Sequence, residues 1–201
     1  YRIKSPRGLL PIYSIKSCLK TAGLSMQDVN LVAHPGETYH DAPSRIKSYL
    51  NHYFGYSPKI KMINHQLAHL ASAYFHSGFE NSMCLSYDAY GDKLSAAFGL
   101  AKNGIAIDET RDSSNSLGVF YATMTSFLGY LPAEDEFKVM GLAALGEHKY
   151  DLSAFAAVAT DGYKVDNSFI RQEPPLKSNW EPFYSKKLID LCGPPRKIGE
   201  K

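Results

Sequence analysis

The stretch Asn64-His65-Gln66-Leu67-Ala68-His69 places two imidazoles four residues apart. A helix turns once per 3.6 residues, so both rings leave the same face. Small and apolar residues follow (Ala71, Ser72, Ala73), which suits a packed helix. Met83-Cys84-Leu85-Ser86-Tyr87-Asp88 then reads as a buried strand ending in a carboxylate, and Ala89-Tyr90-Gly91-Asp92 closes it. Open α/β sheets bind ligands at the carboxyl ends of their strands. Two imidazoles and one carboxylate brought together there begin a metal site. Histidines at this spacing also occur as surface or satisfied core residues. The zinc-protease pattern H-E-x-x-H is excluded, because the position after the first histidine is Gln66, which cannot serve as a carboxylate base.

The chain of 201 residues, 44% of them hydrophobic, is long enough for one large domain or two small lobes. Lysine and arginine total 22 against 20 acidic residues, a net charge of +2. No basic patch is dense enough to suggest a nucleic-acid partner, and no apolar run is long enough for a membrane span. The start carries no signal-peptide pattern. Cys18, Cys84 and Cys192 are odd in number and widely spaced, which predicts no disulfide framework and a reducing cytoplasm. Opening on Tyr1 without a methionine, the chain reads as a piece of something longer.

Taken in order, residues 1 to 12 predict a basic, Pro-punctuated loop. The helical spacing of Ile12, Ile15, Cys18 and Leu19 predicts a helix to Ala22, stopped by Gly23. Val29 to Ala33 predicts a short strand ended by His34-Pro35-Gly36, with His34 at its surface end. Ile46, Leu50 and Phe54 mark a helix over 44–54, and Lys59 to Ile63 a strand leading into the histidine helix. Leu94 to Leu100 and Ile105 to Glu109 predict strands joined by the hairpin signal Lys102-Asn103-Gly104. With 83–88 they form an antiparallel meander of three. The loop Ser113-Ser114-Asn115-Ser116 caps a helix from Leu117 to Leu128, and 134–143 predicts a charged loop and a helix start. A weak helix is expected over 151–159, and Pro174-Pro175 and Gly193-Pro194-Pro195 break up the remainder. The order predicts an α/β protein of two lobes with a cleft, the second lobe beginning near Ser82.

Five blocks taken together resemble one family. They are 64–79, Asp88-Ala89-Tyr90-Gly91-Asp92, Asn115-Ser116-Leu117-Gly118-Val119-Phe120-Tyr121, Leu128-Gly129-Tyr130 and Glu136-Phe137-Lys138-Val139-Met140-Gly141-Leu142-Ala143. In order and spacing they are similar to the ATP-dependent O-carbamoyltransferases of nodulation-factor and antibiotic biosynthesis, from about Leu10 to Arg196. The resemblance implies an actin and sugar-kinase-like (ribonuclease H-like) two-lobe fold, incomplete in this chain. Residues 1–81 would supply the latter part of the first lobe and 82–201 the first part of the second. It implies carbamoyl transfer from carbamoyl adenylate, made from carbamoyl phosphate and ATP by a separate domain, to a hydroxyl of a small acceptor. His65, His69 and Asp88 would hold iron(II) or another divalent metal. Gly91, Asp92 and Lys93 would lie beside phosphate, Asn115 and Ser116 would line the transfer pocket, and Glu136 and Lys138 would do catalytic work on the nucleotide side.

This chain departs from the family where Gln66 replaces a second histidine and where Asp88-Ala89-Tyr90-Gly91 replaces Asp-Gly-x-Gly. The first phosphate loop, the adenosine motif and the adenylate-forming domain are expected elsewhere in a longer protein, so the chain alone is expected to be inactive. Two other readings stay open. One is a relative of the tRNA threonylcarbamoyladenosine enzyme, which usually carries Ser-Gly-Gly-Asn where this chain has 88–92. The other is a non-catalytic actin-like binding module in which the histidines only pack.

Overall fold

The parallel pair at the start of the chain explains why its first helices lie where they do. The computed structural model describes residues 10–171, 182–197 and 200. Helix α1 (Ile12–Ala22) ends at Gly23, whose φ of 67° is the left-handed conformation a glycine takes at a helix stop. A single 3₁₀ turn with a Ser25–Asp28 capping box follows. Strand β1 (Leu31–Pro35) starts two residues later than Val29 and runs on through His34, because its ladder is set by pairing with β2. Helix α2 (Ala42–Phe54) makes the crossover to β2 (Lys59–Ile63), which lies parallel to β1 with His34 opposite Met62. The apolar stripes of both helices meet here: Met26, Ile46 and Leu50 are buried against Ile15, Leu19, Val32, Phe54 and Ile60.

Helix α3 (His65–Ser77) opens directly after β2. It lies on the antiparallel meander β3 (Asn81–Gly91), β4 (Leu94–Lys102) and β5 (Ile105–Asp112). Leu70 and Tyr74 meet Cys84, Ala97 and Ala101 in a small core. The small alanines on β4 let the helix approach the sheet closely. The β4–β5 turn is the expected Asn103-Gly104, with positive φ at both residues. Strand β3 is longer than the predicted 83–88, but its register against β4 breaks between Tyr87 and Gly91. Asp88 therefore lies in a bulge, not at a strand end, and bulges re-aim side chains.

Helix α4 (Leu117–Phe127) is capped by Ser116, and α5 (Glu136–Ala143) packs on α4. The helix expected over 151–159 is absent. Its Ala-rich second half is instead β6 (Ala156–Ala159), paired with β7 (Gly162–Val165) across Thr160-Asp161. The turn decides the matter: Gly162 takes a φ of 128°, which closes a hairpin, and pairing then overrides alanine's helix preference. Phe155, Phe169, Val165 and Leu188 close a third core with Phe127. Leu188 belongs to α6 (Lys186–Cys192), a short helix with no strong periodicity in the sequence. The Pro174-Pro175 break and the basic loop before Leu10 lie outside the described residues. The described architecture is mixed α/β with three small sheets.

Candidate metal centre

The first turn of α3 is fixed from both ends of its backbone. Asn64 is the N-cap, and its side-chain oxygen accepts the Leu67 N–H at 3.1 Å. The His65 N–H donates to Asp92 Oδ2 at 2.6 Å. With its backbone so held, His65 turns Nε2 toward the β3 bulge, 2.7 Å from Asp88 Oδ2. One turn on, His69 Nε2 lies 3.0 Å from His65 Nε2 and 3.4 Å from Asp88 Oδ2. Asp88 spends its other oxygen on the Ala89 N–H at 2.7 Å. The two ring centroids are 4.7 Å apart and inclined at 71°, so the rings do not stack but converge on their edges.

These ligand atoms all lie within 4.8 Å of one another. Donors about 2.0–2.2 Å from a shared cation stand roughly 2.8–3.6 Å apart at octahedral to tetrahedral angles. The separations of 3.0 and 3.4 Å fall in that range, and the His65–Asp88 separation of 2.7 Å lies just below it. Two imidazole nitrogens and a carboxylate oxygen on one face, with the other sides open, also suit a divalent transition metal by donor type. The side chains of His65 and Asp88 are 25% and 29% exposed, so the cluster is partly open to solvent.

Gly91 and Asp92 both lie against the start of α3. A Cβ on Gly91 would fall 2.2 Å from the His65 ring, so this glycine makes room for the imidazole. Asp92 is 5% exposed, and both its oxygens are taken. Oδ1 accepts the Thr38 N–H and hydroxyl, and Oδ2 accepts the Glu37 and His65 N–H groups. Burial pushes the Asp92 carboxyl up, but hydrogen bonds from Thr38, His65 and Glu37 outweigh it and hold the group below the usual carboxylate value. The next residue, Lys93, has an exposed side chain and a φ of 66°.

Ser116 and Asn115 are also occupied by the fold. Ser116 is buried, accepts the Val119 N–H at 3.0 Å and donates to the Ala89 carbonyl at 2.6 Å. It thus pins the start of α4 to the bulge that carries Asp88. Gly118 permits the approach, since a Cβ there would lie 2.5 Å from Ala89 N. Asn115 turns away to bridge β7, donating to Tyr163 O and accepting from Val165 N. Gln66 is fully buried and points into the sheet. It accepts from the Ser86 hydroxyl at 2.6 Å and donates to Leu94 O at 3.3 Å.

Glu136 and Lys138 lie on α5. Glu136 accepts the Ala133 N–H at 2.6 Å, and Lys138 Nζ lies 2.8 Å from Asp135 Oδ1. The structure therefore draws His65, His69, Asp88 and Gly91 together, with Asp92 and Ser116 behind them, and leaves Glu136 and Lys138 on a separate helix. The partners supplied by Glu37 and Thr38 were not foreseen. They lie 55 and 54 residues from Asp92, and no local pattern announces such a link.

Residues 13–184 match a protein family described as Carbamoyltransferase N-terminus. The nodulation protein NolNO of Sinorhizobium fredii is 31% identical over 162 residues, which is 69% of this chain and 24% of that protein. The nodulation protein NolO of Bradyrhizobium diazoefficiens is 34% identical over 108 residues, 51% of this chain and 20% of that protein. An uncharacterized protein of Methanocaldococcus jannaschii is 38% identical over 89 residues, 42% of this chain and 17% of its own length. The chain thus spans about a quarter or less of the length of these relatives.

Proposed function

This chain belongs to the carbamoyltransferase family through that family's N-terminal part, and from that premise we propose that it works within a longer ATP-dependent enzyme. That enzyme would take carbamoyl phosphate and ATP and pass the carbamoyl group from carbamoyl adenylate to a hydroxyl of a small acceptor. The observation that carries the reading is the convergence of His65, His69 and Asp88 within 4.8 Å. In this reading the three hold iron(II) or another divalent cation, which would supply Lewis-acid polarisation of an oxygen near the transferred group.

The chain's own residues then divide the work. His65 and His69 present Nε2 and Asp88 presents Oδ2, while Asp88 Oδ1 stays tied to Ala89 and fixes the carboxylate plane. Ser116 holds the bulge from behind. Lys93, exposed at the β3–β4 turn, is the cation offered to a phosphate on this side of the cleft. Lys138 and Glu136 are assigned to the nucleotide side, with Lys138 offsetting charge on the leaving phosphate. The acceptor hydroxyl oxygen forms a bond to the carbamoyl carbon as the carbon–oxygen bond to AMP breaks; AMP leaves with the bonding electrons and the hydroxyl proton passes to water. Gln66 takes no part in proton transfer, since its amide is buried and spent on Ser86 and Leu94.

The proposed frame is the actin-like, two-lobe fold, with residues 1–81 in the first lobe and 82–201 in the second. A reducing, cytoplasmic location is proposed because Cys18, Cys84 and Cys192 are odd in number and widely spaced along the chain. No helix among the described residues is long and apolar enough to cross a membrane.

Elemental analysis after anaerobic loading with iron(II) tests the reading. Near one equivalent retained by the chain, and lost in both His65→Ala and His69→Ala, is the expected result. Equal retention by the variants would remove the metal assignment.

A further inference from the structure

We infer that Asp92 is a positioning residue: it sets where His65 presents Nε2 by tying the first turn of α3 to the loop that follows β1. The inference rests on the metal reading of His65, His69 and Asp88, and it gives Asp92 a role other than contact with phosphate.

The first argument is saturation. An ionised carboxylate offers about four lone-pair positions and no donor. All four are used, by the N–H groups of Glu37, Thr38 and His65 and by the Thr38 hydroxyl, at 2.6 to 2.9 Å. No acceptor capacity remains for a ligand, and a negative carboxylate repels a phosphate. The second argument is placement. Asp92 follows Gly91, whose backbone lies against the His65 ring so closely that a Cβ would stand 2.2 Å away. Consecutive residues thus hold one histidine twice, Gly91 by the ring and Asp92 by the backbone N–H.

Third, Asp92 and Lys93 take φ of 53° and 66°, the left-handed pair that a two-residue hairpin turn between Gly91 and Leu94 needs and that Asp tolerates. The turn thus presents the Asp92 side chain to the start of α3. Fourth, two of the donors come from residues 54 and 55 positions earlier in the chain. Without Asp92 the loop after β1 and the helix bearing both imidazoles would lose this shared anchor. Partners behind a metal ligand commonly govern ligand orientation and hence affinity.

The test is anaerobic titration of the 201-residue chain with cobalt(II), whose visible absorption reports coordination geometry. Wild type should take up one equivalent, and His69→Ala should not. Asp92→Asn keeps the shape but has one acceptor oxygen, so its amide N–H₂ must face donors. It should bind cobalt(II) about 10- to 100-fold more weakly, with an altered absorption spectrum at saturation. Thr38→Ala removes only the hydroxyl donor and should weaken binding by less. Leu188→Ala lies in a separate core and should lower the melting temperature while leaving affinity unchanged. If Asp92→Asn melts earlier yet binds with wild-type affinity and spectrum, its role is structural only and the inference is overturned. Should Asp92→Asn fail to fold, Thr38→Ala decides: affinity equal to wild type overturns it. If wild type takes up no cobalt(II), or His69→Ala binds as tightly, the metal reading fails and the inference falls with it.

Discussion

Lys138 shows how far one residue's role depends on what stands opposite it. Its Nζ lies 2.8 Å from Asp135 Oδ1, and the side chain is 47% exposed. An exposed pair of this kind contributes at most about 1 kcal/mol to folding. A lysine facing a leaving phosphate in a partly dry cleft acts on a different scale, where loss of one preorganised electrostatic group costs about 10²-fold or more in rate. We therefore expect Lys138→Met in the intact enzyme to lower carbamoyl transfer by about 10²-fold with little change in melting temperature, because an apolar stem remains. Steady-state turnover measured beside a thermal melt checks this. Near-normal turnover, or a melt that falls together with activity, would reduce Lys138 to the local ion pair. Gly91 teaches the same lesson in reverse. Its type suggests a backbone open to phosphate, yet its lack of a Cβ is what seats the His65 ring.

At the scale of elements, caps join the secondary structure to the site. Ser116 accepts from Val119 at the start of α4 and donates to the bulge at Ala89. Ser116→Ala removes a cap and takes a donor from the part-buried Ala89 carbonyl, so it should destabilise the chain by about 1–2 kcal/mol, read as a lower midpoint in urea unfolding. A midpoint equal to wild type would show that α4 is held by packing alone. A second junction docks α6. Lys187 Nζ reaches Asp166 Oδ2 at 2.7 Å, and Asp166 also caps the turn at Ser168. The hydrogen bond from Lys187, then those from Ser168, hold the Asp166 carboxyl well below the usual carboxylate range. A depressed folded-state value means the stabilisation is present above the unfolded value, about 3.9, and is lost as pH falls through the folded one. Melting temperatures of wild type and Asp166→Asn should thus differ at neutral pH and converge in strong acid. A gap that stays constant down to low pH would assign the effect to geometry and not to charge.

For the molecule as a whole, the chain spans only 24% of the nodulation protein NolNO. The step that forms carbamoyl adenylate is proposed to lie in the rest of such a protein. The purified 201-residue chain should therefore show no carbamoyl transfer with carbamoyl phosphate, ATP and a hydroxyl acceptor, even when it binds metal. Measurable turnover by this chain alone would overturn that division. What the sequence determined by itself is whatever depends on near neighbours. Periodicity and stop signals place α1 at Ile12–Ala22, Asn103-Gly104 places the β4–β5 turn, and helical spacing puts His65 and His69 on one face. Where the Asp161-Gly162 turn competes with an alanine-rich run, local preference misleads, and strand pairing makes β6. Only the tertiary structure decided the bulge that aims Asp88, the close approach of Gly91 to His65 and the Asp92 bond to Thr38. These are contacts between segments some 20 to 55 residues apart. Their geometry is set by how helix and sheet pack, and no spacing along the chain encodes it.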